Sequence, residues 1–416
     1  MLSPPTLPFT VRAGNALFTG LRAFGVQRNA LDKAALLAAA RSQTGLADFG
    51  DSSFEAGLDR LLRALAEEAQ LTPLGTLIAR EEILAPLSQR LQLVEHHRRY
   101  PEIAAAPIDK PIFIIGMGRS GTTVLHELLA LDPQFRVPRT WEVDRPFPPP
   151  ETASYEHDPR IAEIQRTLDR ADFILPEFKR IHRTGATLPQ ECVRFTTGEF
   201  LSLIFWTNYN VPSYSNWLQQ EADLSAAYRY HRSFLQLLQW RHQRSPWVLK
   251  SPAHLWSLGE LLAEYPDARF IQTHRDPVRM LASLSSLVTH LRKMSTNAVD
   301  GLQIAQEWAQ WNALGLNASA EFRESGAIAP GQVVDLDFYQ FMDDPVVEVE
   351  KIYRHFDLEL RDTVRQSMQD YLAAHAADEH GSHRYSFADT GLNLDEERER
   401  LGRYQNYFGT RNEVTA

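Results

Sequence analysis

Apolar residues in this chain follow two regimes. Over roughly the first hundred positions they recur at three- and four-residue spacing. Leu58, Leu61, Leu62 and Leu65 make one stripe, and Leu84, Leu87, Leu91 and Val94 make another. Helices are therefore predicted over LDKAALLAAARSQ, FEAGLDRLLRALAEEAQL and REEILAPLSQRLQLVEHHRRY, with Thr72, Pro73 and Gly75 as punctuation. An earlier stretch, FTVRAGNALFTGLRAFG, carries Leu17, Leu21 and Phe24 on one face. That face is expected to dock on its own protein, with a membrane surface as the alternative partner. From Pro111 the spacing changes. Ile112, Phe113, Ile114 and Ile115 form a short unbroken apolar run, the mark of a strand buried on both faces. Val124, Leu125, Leu128 and Leu129 then return to helical spacing. A second strand is predicted to end at Lys250, followed by a helix through Leu261. A third strand runs from Arg269 to Thr273, and Pro277 opens the next helix. Such alternation predicts an α/β fold, a P-loop-like parallel sheet flanked by helices. Residues 1–108 read as a helical N-terminal extension, and 146–246 as a largely helical insertion. Neither internal repeats nor low-complexity tracts stand out.

Between the first strand and its helix lies a loop with three glycines, Gly116, Gly118 and Gly121, and two hydroxyls at the helix start, Thr122 and Thr123. Strand, glycine loop, helix presents backbone N–H groups and a positive helix end to an anion. The expected ligand is phosphate or sulfate. A Walker A loop would carry lysine after its last glycine, but Thr122 stands there and the basic residue is inside the loop, at Arg119. This arrangement, Gly118-Arg119-Ser120-Gly121-Thr122-Thr123, resembles the 5′-phosphosulfate loop of sulfotransferases that use 3′-phosphoadenosine 5′-phosphosulfate (PAPS). A second match supports it: Arg275 at a strand end and Ser283 eight residues later resemble the family's pair for the cofactor's 3′-phosphate. DFYQFMDDPVVEVEKIYRHFDLEL also resembles the family. The resemblance covers roughly Lys110 to Phe408 and is closest to bacterial enzymes related to the tyrosylprotein and heparan types. It makes 109–416 the catalytic domain and 146–246 its acceptor-site lid. HGSHRYS, His380 to Ser386, resembles the loop that closes over the 3′-phosphate, with Arg384 as its cation.

The resemblance implies roles. Arg119 and Lys250 would neutralise charge at the transferred group, in-line and without metal, because positioning and electrostatics carry most of such a transfer. Glu142, behind the Asp132-Pro133 turn, matches the base of the tyrosylprotein and heparan types. The phenol-type histidine position holds Pro252 instead, which leaves His254 as the other base candidate. A salt bridge from Glu142 to Arg139 or Arg145 is the structural alternative. Two rival functions remain. A P-loop small-molecule kinase needs a loop lysine and a strand-end acid, of which Asp335 is a faint version. A non-catalytic nucleotide-binding protein would lack Arg119, Lys250 or Arg275, and all three are present.

The 416 residues carry a net charge of −10, which argues against nucleic acid or an acidic polymer as partner. A small-molecule or lipid hydroxyl is the expected acceptor. The aromatic stretch Phe200–Trp217 is core by default, while Phe205, Trp206, Tyr209, Tyr214 and Trp217 are candidates to line an apolar acceptor site. A single cysteine, Cys192, reads as a buried structural thiol and fits a reducing compartment. With no apolar run of membrane-spanning length and no signal-like start, a cytoplasmic location is expected. Residue types in metal-ligand spacing are absent, and nothing in the pattern points to one oligomeric state.

Overall fold

The computed structural model describes residues 2, 4–22, 29–174, 183–243, 246–375 and 386–415. Four strands, β1 (Ile112–Ile115), β2 (Val248–Lys250), β3 (Arg269–His274) and β4 (Val333–Asp337), form one parallel sheet in the order β2-β1-β3-β4. Ile114 lies between Lys250 and Ile271, and His274 lies opposite Asp337. The carboxyl ends of the strands are thereby brought level, and that edge is where parallel sheets place ligands.

The apolar run of β1 is explained by its two faces. Successive side chains point to opposite sides of a sheet. Phe113 and Ile115 join Leu249 and Phe270 in the larger core, which also takes the N-terminal stripes Leu58–Leu65 and Leu84–Leu91. Ile112 and Ile114 face the other way, onto Leu125, Leu128 and Leu129 of the helix Thr122–Ala130 and onto Val349 and Ile352 of the helix Pro345–His355.

The N-terminal helices, Lys33–Thr44, Ser53–Glu67 and Pro73–Arg99, are joined to the sheet layer by hydrogen bonds as well as by packing. Thr72 caps the long helix Pro73–Arg99 through Gly75 N (3.0 Å). Its backbone N–H and its hydroxyl both donate to the carbonyl of Ser295, at 2.9 and 3.2 Å. Gly75 is required there: a Cβ would fall 1.9 Å from the same carbonyl oxygen. Leu17 and Phe18, on the first helix (Phe9–Arg22), are exposed. Phe24 lies outside the described residues.

The aromatic stretch of the insertion is mostly core. Phe205, Trp206, Tyr209 and Tyr214 are buried, Trp206 stacks on Trp311 at 5.3 Å, and the hydroxyls of Tyr209 and Tyr214 donate to Glu82 (2.7 Å) and to the carbonyl of Phe200 (2.7 Å). Trp217 lies under Arg60. The buried members are the core that the block suggested by default, and none of the five candidates lines the cleft beside the glycine loop described below. Cys192 is buried, and burial pushes its thiol up.

Burial also depresses two core histidines. His126, buried and with Lys250 nearby, is lowered to about 3, and burial alone takes His231 to about 3. The His126 ring meets the carbonyl of Val248 at 3.2 Å. A histidine whose folded value is depressed stays neutral inside while the unfolded chain takes up a proton, so stability falls as pH drops from about 6.5 toward 3. His126→Gln keeps a neutral hydrogen-bonding group and removes the titration. Denaturant unfolding measured between pH 6 and pH 4 should show a shallower loss, by about 1.4 kcal/mol per pH unit for the one proton removed. An unchanged slope would mean that His126 is charged in the folded protein.

Candidate active site

The loop after β1 is pinned to β3. Gly116 has φ 148°, and a Cβ on it would sit 2.1 Å from the Thr273 hydroxyl. Ser120 Oγ donates to the carbonyl of Met117 at 2.6 Å and meets Thr273 Oγ1 at 2.6 Å. Arg119 and Gly121 both take positive φ, 77° and 86°, which turns the chain sharply into the helix Thr122–Ala130. Gly118, Arg119, Gly121, Thr122 and Thr123 line a cleft of about 510 Å³.

Two cation-bearing strand ends converge on that loop. Lys250, at the end of β2, is buried; its Nζ donates to Thr123 Oγ1 at 3.2 Å and pairs with Glu191 Oε1 at 2.7 Å. Arg275 follows β3. Its Nη1 donates to the carbonyl of Arg119 at 2.8 Å, and its guanidinium lies 3.9 Å from the centre of the Phe338 ring. The remaining edge of the fork holds the Glu413 carboxylate, at 2.7 and 3.1 Å, with Arg279 3.8 Å from it. Burial would raise the Glu413 carboxyl, but hydrogen bonds from Arg275 and Tyr339 hold it below its ordinary value. Ser283 Oγ is buried with no hydrogen-bond partner among the described residues.

The far side of the same cleft is apolar. Leu284, Leu287, Val288 and Leu291 line it from the helix Pro277–Ser295, opposite Leu203 and Ile204 of the helix Leu203–Asn208. The glycine loop, Glu191 with Lys250 paired behind it, and a leucine-lined groove therefore meet at one void. Chemically this suits transfer of an anionic group to an apolar acceptor.

Comparison with known proteins agrees. The profile of the sulfotransferase family matches residues 111–362. The chain belongs to the sulfotransferase family. Curated sulfotransferase relatives from Mycobacterium bovis and Mycobacterium tuberculosis, both named omega-hydroxy-beta-dihydromenaquinone-9 sulfotransferase Stf3, are 25% identical over 301 residues, 68% of this chain and 72% of theirs. The crystal structure of sulfotransferase STF1 from Mycobacterium tuberculosis superposes with a TM-score of 0.78 at 32% identity, covering 89% of this chain and 98% of that one. For sulfotransferase STF9 from Mycobacterium avium the TM-score is 0.84 at 27% identity, with coverage of 92% and 98%. The parallel sheet and its flanking helices are thus those of a sulfotransferase.

Within this sulfotransferase, Gly118, Arg119, Gly121, Thr122, Thr123, Lys250 and Arg275 come together around one cleft, with Ser283 on the helix that walls it. Ser120 belongs to the loop but commits its hydroxyl to Met117 and Thr273, so its part is to hold the loop's shape. Arg384 and the His380–Tyr385 portion of its loop lie outside the described residues. The strand-end acid of the kinase alternative, Asp335, is tied to His274 at 3.0 Å and to Arg323 at 2.8 and 2.9 Å.

Neither base candidate, Glu142 or His254, is among the described residues that line the cleft. Glu142 is fully buried away from the cleft, gripped by Arg136 at 2.8 and 2.5 Å, by the Tyr155 hydroxyl at 2.9 Å and by the Arg139 N–H at 2.8 Å. It is a salt-bridge residue, but its partner is Arg136 rather than Arg139 or Arg145. His254 is also buried; its Nδ1 meets the Tyr228 hydroxyl at 2.8 Å, and burial with His231 nearby keeps it far below its ordinary pKa. It faces a neighbouring cavity instead of the cleft. The carboxylate that lines the cleft beside Lys250 is Glu191, which directly precedes Cys192 in LPQEC and was not singled out from the sequence. The contacts of Phe338 and Glu413 with Arg275 arise only from tertiary approach and left no signal in the sequence.

Removing one partner of a buried ion pair strands the other charge, a loss of about 3–5 kcal/mol. Glu142→Gln should therefore lower unfolding stability by about that amount through Arg136. Turnover per folded molecule should stay within a few-fold of the parent. A stable Glu142→Gln protein with turnover down a hundredfold would return the base to Glu142.

Proposed function

We propose that this sulfotransferase moves a sulfuryl group from PAPS to the hydroxyl of an apolar, lipid-like acceptor, with Glu191 as the base and Lys250 and Arg119 as the cations. The observation that carries the reading is Glu191 in the cleft wall, 2.7 Å from the buried Lys250, in a cleft whose other half is a leucine wall. A sulfated sugar chain would need cations along that wall. The Stf3 relatives support the same substrate class, since their name specifies a hydroxylated menaquinone derivative.

The residues present fit the donor. Backbone N–H groups of the Gly116–Thr123 loop and the N-terminus of the following helix would hold its 5′ end. The unpartnered hydroxyl of Ser283 and the Arg275 fork would hold its 3′-phosphate. When bound, the donor supplies the sulfuryl group together with a bisphosphate leaving group. Glu191 accepts the acceptor's hydroxyl proton on its carboxylate. Lys250 Nζ, already oriented by Thr123, provides positive charge where negative charge grows. Leu284, Leu287 and Val288 exclude water and align the acceptor's chain with the loop. Arg275 cannot serve a phosphate and the Glu413 carboxylate with the same N–H groups, so Glu413 has to yield when the nucleotide enters.

Calorimetry with adenosine 3′,5′-bisphosphate in the presence of a chelator should show binding at least about tenfold tighter than 5′-AMP, the worth of one charge-assisted contact set. Glu413→Gln should widen that preference by up to about tenfold by removing the competing charge. Equal affinities for the two nucleotides would remove the 3′-phosphate from Arg275 and Ser283.

Glu191→Gln should lower turnover about 10²- to 10⁴-fold while bisphosphate affinity stays within a few-fold. Lys250→Ala should cost about 10²- to 10³-fold in turnover. Should Glu191→Gln turn over at the parent rate, the proton has another destination.

A further inference from the structure

The first helix, Phe9–Arg22, turns its apolar face outward. Phe9, Ala13, Ala16, Leu17 and Gly20 fall within one arc of roughly 100° on that helix. All five are exposed, Phe9 to 75% and Leu17 to 64%, and the arc holds no charged residue. The opposite side carries Asn15, whose Oδ1 accepts the backbone N–H of Leu74 at 3.0 Å and so fastens the helix to the start of Pro73–Arg99. A surface helix ordinarily buries its apolar stripe against its own protein. This one is fastened by a polar contact and presents the stripe to its surroundings, which is the mark of an interaction surface.

Charge is segregated in the same direction. The first 31 positions carry Arg12, Arg22 and Arg28 and neither Asp nor Glu, in a chain whose net charge is −10. A basic helix with an apolar face is drawn to an anionic lipid surface and supplies side chains for its acyl boundary. A second copy of this chain fits less well. Phe9 and Leu17 are the large side chains of the stripe and offer roughly 300 Å² between them, against about 800 Å² per partner in a stable interface. Pairing two copies through this helix would also bring two basic segments together.

The helix stands beside the leucine end of the cleft. Leu291, the last leucine of the groove, lies one turn before Ser295 on the helix Pro277–Ser295. Ser295 Oγ donates to the carbonyl of Asn208, a cleft residue, at 2.9 Å, and the Ser295 carbonyl accepts from Thr72, two residues before Leu74. Lys293 and Asn297 line a groove together with Arg12, Asn15 and Thr19 of the first helix. We propose that Phe9–Arg22 is an interfacial anchor for an anionic lipid bilayer, with Phe9 and Leu17 entering the acyl boundary. It holds the leucine end of the cleft at the membrane surface, so that an alcohol embedded in the bilayer reaches the site without crossing water. The docking rests on the helix and its charge; delivery of the acceptor rests on the sulfuryl-transfer reading above.

The test is flotation of the full chain with vesicles of equimolar phosphatidylcholine and phosphatidylglycerol, and with vesicles of phosphatidylcholine alone. The anionic vesicles should bind the protein at least about tenfold more tightly, since each arginine near such a surface is worth about fivefold. Phe9→Gln/Leu17→Gln should weaken that binding at least about tenfold. Phe173→Gln, at a comparably exposed phenylalanine of the helix Pro159–Ile174, should leave it unchanged. All three positions are exposed, so thermal unfolding should not move. In turnover with PAPS, the double variant should lose at least about tenfold on hexadecanol held in anionic vesicles and keep the parent rate on dissolved butanol. No binding to anionic vesicles, equal binding to both kinds, or an equal loss in Phe173→Gln overturns the docking surface. A dimer in analytical ultracentrifugation that the double variant abolishes also overturns it, because the face then belongs to a second copy. Equal losses on the two alcohols overturn the delivery role. Vesicle binding that responds to the double variant, with no turnover of either alcohol, overturns the apolar-alcohol reading and leaves the docking surface standing.

Discussion

The contact on which the site depends is the close approach of Gly116 and Ser120 to Thr273. Without a side chain at Gly116, the Thr273 hydroxyl can sit against the loop backbone and meet Ser120 Oγ. That contact fixes the loop to β3, and β3 carries Arg275 just beyond its end. The register of β1 with β2 does the same for Lys250. Three separate segments thus bring a glycine loop, a lysine and an arginine to one edge of the sheet, the loop and arginine through the Gly116–Thr273 contact and the lysine through strand register. Methyl-sized bulk at Gly116 would move the loop, and with it every donor that the loop presents.

Charge around the cleft is arranged in graded environments. Arg136 and Glu142 lie deep in the protein and satisfy each other, with Tyr155 completing the set. Lys250 and Glu191 are paired at the cleft wall, where the glutamate keeps partial exposure. Arg275 and Glu413 meet at its rim. Desolvation makes the first pair costly to break, while solvent and incoming anions can compete for the outer two. Depth alone therefore separates a carboxylate that holds structure from one that can exchange partners.

The fold was legible wherever the signal was local. The β-branched run Ile112–Ile115, the glycines after it and the Pro277 helix start each follow from short-range periodicity and backbone preference. Lys250, Arg119 and Arg275 were legible because strand ends in a parallel sheet converge by topology. Glu191 was not, because its approach to Lys250 depends on how the chain from the insertion folds back over β2. The burial of Glu142 was hidden for the same reason, since Arg136, six residues before it, holds its carboxylate inside the protein. The aromatic block at Phe200–Trp217 has the composition of a pocket and of a core alike, and only the internal partners of Tyr209 and Tyr214 distinguish them.

The helix Pro277–Ser295 carries Ser283 and, one residue before its start, Asp276, which accepts hydrogen bonds from Arg398 and from the backbone N–H groups of Glu413 and Val414. Beyond Ser283, its Leu284, Leu287, Val288 and Leu291 form the apolar wall. A single helix thus runs from the part of the cleft that the proposal gives to the nucleotide to the leucine groove that it gives to the acceptor. A bulky acceptor that tilts the helix also shifts the hydroxyl and the cap at its head. On the proposed reading the two Michaelis constants are mechanically linked, and a substitution made to widen the groove will be felt as a change in nucleotide affinity.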